Sequence, residues 1–167
     1  MSTDPCRDAV NQFLAKDFST WRGLPAHCTL AALARLELGS DETATVLGEG
    51  KAPAAYRRAR TTAYTELLTL WLRDSAVVRI SAELPALPDV PALLHALGPP
   101  DAKLDAWRAT VPVRSPESEW VWAARGLALV LSTDHSKVMQ LIVYSPTTVD
   151  TYRGQIRFDE APREQPM

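Results

Sequence analysis

The chain has 167 residues, a net charge of −2, 46% apolar and 23% charged residues, which is the profile of one globular domain. At that length about 70% of the unfolded surface can be buried, so a core needs no covalent staple. The charge excludes the broad basic face that nucleic acid requires, and no apolar run reaches the ~18 residues of a membrane helix.

The opening MSTDPCRDAV is polar and lacks the apolar stretch of a signal peptide. A cytoplasmic protein is expected, with neither nucleic acid nor membrane as partner. The Ala, Leu, Arg and Pro bias is bacterial in character. In that setting the two cysteines, Cys6 and Cys28, read as free thiols.

Asp4-Pro5 opens a helix, since Asp caps and Pro suits the first helical position. Val10, Phe13, Leu14 and Phe18 form its apolar stripe, extended by Trp21, and the helix should end between Asp17 and Thr20. Thr29 caps a second helix over LAALARLEL, with Gly39 as its stop. Thr43 to Leu47 reads as a short strand, and AAYRRARTT fits helix or strand. Leu67 to Leu72 and Val77 to Glu83 form a first hairpin.

LPALPDVP is a connector. Asp89 then caps VPALLHAL, which Gly98 ends. Asp101 to Trp107 and Val111 to Arg114 read as short strands, and RSPESE as a loop.

Ser118 to Ser145 is the longest apolar-rich run, read as two long strands joined by the polar turn STDHS. Leu127, Leu129 and Leu131 alternate with Ala128 and Val130, a period of two. Met139, Leu141 and Val143 should face the core. Arg125-Gly126 interrupts the alternation, and a local kink without chain reversal is expected there. Ser145-Pro146-Thr147-Thr148 begins a last helix with Val149, Tyr152 and Ile156 on its apolar side. The charged tail from Asp159 onward is expected to be disordered. Residues 1–158 thus form a single α+β domain, with helices packed on an antiparallel sheet.

A shift of 59 residues brings Gly39 onto Gly98, Leu38 onto Leu97, Leu70 onto Leu129 and Leu72 onto Leu131. One reading is two tandem half-repeats, 29–84 and 89–145; the other is the coincidence of two similar supersecondary units. The stretches LLHALGPPDAKLDAW, SEWVWAARGLALVL and KVMQLIVY resemble the helix, Leu-Gly-x-Pro, aromatic strand and long hairpin of the small lipoprotein of the β-barrel assembly machinery. The β-lactamase inhibitor proteins carry a tandem version. The resemblance spans residues 89–144 and, more faintly, 29–83. It departs from the family in lacking the Gly-Met-Thr opening and a lipidation signal. It implies a helix layer over an antiparallel sheet, and no binding residue follows from it.

Chemistry-bearing clusters are sparse. His27-Cys28 lacks a base in a nucleophile arrangement. His27, His95 and His135 have no metal-ligand spacing with the cysteines, and no cofactor motif occurs, so no metal or cofactor is expected. Glu117 and Glu119 flank the start of a strand and read mainly as a solvated edge. The tryptophans are the better signal: core packing explains most such residues, but Trp is also a common interface anchor. Trp120 and Trp122 share a strand face, with Trp107 and Arg125 near in sequence. The candidate binding residues are therefore Trp107, Glu117, Glu119, Trp120, Trp122 and Arg125. These features point to a non-catalytic protein-binding module, such as an immunity or inhibitor protein acting on a toxin or enzyme. The alternative is a small enzyme or ligand carrier with a pocket between helices and sheet.

Overall fold

A computed structural model describes residues 5–26, 28–29, 42–48, 54–61, 67–73, 76–83, 85, 87, 89–106 and 115–160. The helix expected at 30–38, the strand at 111–114, His27 and Trp107 lie outside the described residues.

Helix α1 spans Pro5–Leu14 and buries Cys6, Ala9, Val10 and Phe13, spaced for one helical face. It ends a turn earlier than the apolar stripe predicts. Lys16 turns left-handed at φ 60°, and the amides of Lys16 and Asp17 bond back to Phe13 and Gln12, a Schellman closure. Phe18 and Trp21 still reach the core, each ring stacked edge-on to the preceding one at 5.9 Å.

The strands are β1 (Glu42–Gly48), β2 (Ala54–Thr61), β3 (Leu67–Arg73) and β4 (Ala76–Glu83), then β5 (Ala102–Ala106), β6 (Ser115–Trp122), β7 (Leu127–Leu131), β8 (Val138–Val143) and β9 (Phe158–Glu160). They form one sheet in the order β5-β6-β7-β8-β4-β3-β2-β1-β9, with every pair antiparallel. Helix α2 (Val90–Leu97) links its two halves. Asp89 caps α2 through the Ala92 amide, and Gly98 closes it at φ 74°. The α+β class is the one the sequence predicts.

Two four-stranded meanders meet through their last strands, β4 and β8. Their registers correspond. β2 at 54–61 and β6 at 115–122 have equal length, offset by 61. With offsets of 59 on β3 and 61 on β4, the pairs Leu70↔Ile80, Trp71↔Arg79 and Leu72↔Val77 map onto Leu129↔Leu141, Val130↔Gln140 and Leu131↔Val138. The β-bulge after Trp71 therefore reappears after Val130. On the seam, Ser81 pairs with Ile142, its own counterpart at 61.

Several local expectations are corrected. The chain reverses at Ala123–Arg125, a 3-10 turn closed by Gly126 at φ 62°, so β6 and β7 are antiparallel neighbours and no kinked single strand exists. Gly126 is required twice over, by its left-handed backbone and by its approach to the Tyr144 carbonyl, where a Cβ would collide. The segment expected as the loop RSPESE is already strand β6 from Ser115. The bulge at Val130/Leu131 shifts β8, so Val138 joins Leu141 and Val143 in the core while Met139 is 37% exposed. Asp159 and Glu160, expected in a disordered tail, pair with Leu47 and Val46 as part of β9.

Both faces of the sheet are covered. On one, α1, the segment through Phe18, Trp21, Leu24 and Cys28, and α2 pack on Leu68, Leu70, Ile80, Leu127, Leu129 and Val143. Cys6 and Cys28 converge in this core and are joined as a disulfide, Cα atoms 5.7 Å apart, contrary to the free thiols expected. The two segments share one core cluster, which brings sulfurs 22 residues apart together.

On the other face, Thr148 caps a helical turn, α3 (Val149–Thr151), that runs on as a π-helix over Tyr152–Ile156. Tyr152 and Ile156 pack on Val121, Ala128 and Ile142. The next two residues show how far the sheet curls around this segment. Arg157 reaches Glu119 of β6 and the Asp105 carbonyl of β5, while Phe158 pairs with Gly48 of β1. Opposite margins of the sheet thus approach to about one arginine side chain.

Candidate functional site

Strand β6 decides the fate of the candidate residues because its side chains alternate between the two covered faces. Trp120 and Trp122 point to the side of α1 and α2, and Glu119 points to the side of the C-terminal segment. Trp122 is core: it is 3% exposed, and its indole N–H donates to the Gly98 carbonyl at 3.2 Å.

Trp120 is half-buried, and its ring lies 6.3 Å from that of Trp122. Its indole N–H donates to the Glu117 carbonyl at 2.9 Å. The ring of His135, in the β7–β8 turn, meets it edge-on at 5.0 Å. Lys103, its cross-strand neighbour on β5, places Nζ 4.4 Å from the ring centroid.

Both backbones that hold Trp120 are left-handed. Glu117 has φ 49° and His135 φ 61°, the left-handed region that residues other than Gly, Asn, Asp and His rarely adopt. Among the described residues three non-glycines have positive φ, and two of them touch Trp120. The Glu117 amide bonds to Asp105 Oδ1 at 3.1 Å, fixing that conformation. Strain held by surrounding contacts is a feature of ligand clamps and active sites.

The β7–β8 turn is preformed as well. The Asp134 carboxylate accepts from the Ser136 hydroxyl at 2.7 Å, the Ser136 amide at 3.1 Å and the Ser132 hydroxyl at 2.9 Å. The Ser136 hydroxyl and amide, with that of Ser132, hold its pKa down at about 2. Beside it lies an open depression of about 560 Å³ lined by Ser132, Thr133, Asp134, Ser136 and Lys137.

Glu119 has a different role from the solvated edge expected. It is 4% exposed, and its Oε2 accepts from Arg157 Nε at 2.8 Å and from the Tyr152 hydroxyl at 2.9 Å. Burial, and next the Glu119 charge, raise the Tyr152 pKa well above its ordinary value, so the hydroxyl stays protonated and donates. Burial and the same charge raise Tyr144, whose ring packs 4.9 Å from Tyr152. This network fastens the C-terminal segment to β5 and β6. Glu117 and Glu119 are not a carboxylate pair, because one is exposed and the other faces the interior. Arg125 sits on the turn after β6 and donates to the Ser19 carbonyl at 3.2 Å, which ties the turn to the N-terminal segment.

The structure therefore gathers Glu117 and Trp120, places Trp122 beneath them, and sends Glu119 and Arg125 elsewhere. Sequence reasoning missed His135 and Lys103. Lys103 was within reach of strand-pairing logic, whereas His135 depends on the turn's path. Among the described residues no group of three or more His, Cys, Asp or Glu is placed to hold a metal ion, and no helix is long and apolar enough to cross a membrane. Comparison with protein-family models, curated proteins and solved structures returns no match to this chain.

Proposed function

We propose that this chain is a non-catalytic protein-binding module, in the manner of a bacterial immunity or inhibitor protein that neutralises a toxin or enzyme, and that Trp120 is its contact anchor. The observation that carries the reading is the setting of Trp120. It is a half-exposed indole, fixed on one side by Glu117 and on the other by His135, both in left-handed conformations. A rigid aromatic loses little entropy on binding, and anchors of this kind dominate interface energetics. The matching registers of the two meanders support the further proposal that they are tandem half-repeats, in keeping with the resemblance noted above.

Compartment is part of the proposal. The cytoplasmic placement expected from composition is opposed by the Cys6–Cys28 bridge, since such bridges persist mainly in oxidising compartments. Acid quenching of cells, which stops thiol exchange, followed by alkylation in denaturant, which opens the core, decides between them. Protection of both cysteines from the alkylating reagent favours an oxidising site of action, and modification favours the cytoplasm.

The functional test begins with crosslinking in the native host, identification of the captured protein, and titration of the purified pair by interferometry. Trp120→Ala should weaken binding by about 2 kcal/mol or more, roughly 30-fold. Arg125→Ala should leave it within a few-fold. Full affinity in Trp120→Ala, with the fold intact, would rule out Trp120 as the anchor.

A further inference from the structure

We infer that the Trp120 face receives a basic side chain of the partner, an arginine or lysine, and that Lys103 holds that place in the free protein. The inference rests on the reading of Trp120 as a contact residue.

Lys103 Nζ stands 4.4 Å from the indole centroid, the position of a cation bound to an aromatic face. Lys103 is itself exposed, at the end of a flexible stem on β5, so it can move to water without uncovering a buried charge. The indole cannot move as easily. The Glu117 carbonyl, the His135 ring and the Trp122 ring fix it from three directions.

The charges around the ring favour a cation. Glu117 abuts the indole through its carbonyl, Asp105 supports Glu117, and Asp134 precedes His135 in the turn. Lys103 lies over the ring and Lys137 lines the turn's depression with Asp134, so these two cations and three carboxylates sum to one negative charge. Asp134 and Asp105 are engaged by local donors, so they hold the turn and the Glu117 backbone in place. Once Lys103 leaves the ring, the patch has an indole face, an exposed Glu117 and a surplus of negative charge. A guanidinium suits it best, because it is planar, stacks on the ring and can fork to a carboxylate.

An acidic partner would require the reverse. It would use Lys103 as its counter-charge, and removing Lys103 would weaken it. The sign of the Lys103 effect therefore separates the two. The probe is acetyl-Gly-Arg-Gly amide, with acetyl-Gly-Glu-Gly amide as its opposite, titrated into the intact protein. Backbone amide shifts of residues 101–106 and 132–137 give the readout. The arginine peptide should bind weakly and saturably, and Lys103→Gln should tighten it about two- to five-fold, the equivalent of one exposed cation–π contact. Glu117→Gln should loosen it. Lys103→Gln is a surface change, so the test does not depend on how well Trp120 variants fold.

Unchanged or weaker arginine binding in Lys103→Gln, no saturable binding, or preferential binding of the glutamate peptide would each overturn the inference. These outcomes are distinct from failure of the functional reading. A partner that loses affinity with Trp120→Ala but gains none with Lys103→Gln sinks only the basic-side-chain assignment.

Discussion

Replacing Glu119 by leucine should destabilise the fold strongly. It removes the acceptor of two buried donors at once, Arg157 Nε at 2.8 Å and the Tyr152 hydroxyl at 2.9 Å. Arg157 is 8% exposed and would keep its charge in the interior. Breaking one side of a buried pair costs about 3–5 kcal/mol. Whole domains are stable by only about 5–15 kcal/mol, so the variant would be marginal. At this chain length the melting temperature should fall by about 6–20 °C.

The double variant Glu119→Leu/Arg157→Met should recover most of the loss, because an apolar pair of similar volume does not carry the desolvation penalty. A residual cost of about 1–3 kcal/mol is expected from the stranded Tyr152 hydroxyl, and adding Tyr152→Phe should remove it. Urea unfolding followed by tryptophan fluorescence measures these four proteins and the Arg157→Met single, with the slope checked for constancy. A Glu119→Leu loss under about 1 kcal/mol, or a double variant whose loss equals the sum of the singles, would refute the network as the fastening of the C-terminal segment.

Three further outcomes are expected. Cys6→Ser/Cys28→Ser should lose about 3 kcal/mol in denaturant unfolding, the loop-closure value for a bridge across 22 residues; a reducing agent should shift the wild type by the same amount and leave the variant unmoved. Gly126→Ala should destabilise by more than a surface change, through its positive φ and the Tyr144 carbonyl, and a melting temperature equal to wild type would contradict the reversal at that turn. The Asp134 carboxyl, held at about 2 against an ordinary 3.8, contributes order to the turn above the ordinary value, and this is lost as pH falls through about 2. The Ser136 amide resonance should follow that lower midpoint, and a midpoint near 4 would show the hydrogen bonds absent.

What the sequence revealed follows interaction range. The Asp89 cap, the helix start within Ser145–Thr148, and the hairpins at 67–83 and 127–143 depend on spacing within a few residues, and the structure has them. The reversal at Gly126 was missed because Ala-Ala-Arg-Gly carries no polar turn cluster; its αL glycine is defined by the Tyr144 carbonyl, from β8's far end. Glu119 was misread because its partner, Arg157, is 38 residues away on a segment whose path no local pattern fixes. The bulge that turns Met139 outward likewise comes from strand pairing and leaves no mark on the alternation of β8.

The two meanders correspond in register but differ at Trp120. At the offset of 61 that aligns β2 with β6, the pair Trp120↔Leu129 stands where Ala59↔Leu70 stands in the first meander. The leucines that face the core are kept on both sides. The residue opposite is a large indole in one half and a methyl in the other. Glu119, likewise, corresponds to Arg58. Core packing therefore accounts for what the halves share and for part of the indole at position 120, which packs against the same core, but it does not require the part left exposed. Nor does it call for left-handed backbone at Glu117 and His135, since strain of that kind lowers stability wherever it occurs. The departures from the common pattern and the strained residues coincide at one ring, and the proposal of Trp120 as a contact residue rests on that coincidence.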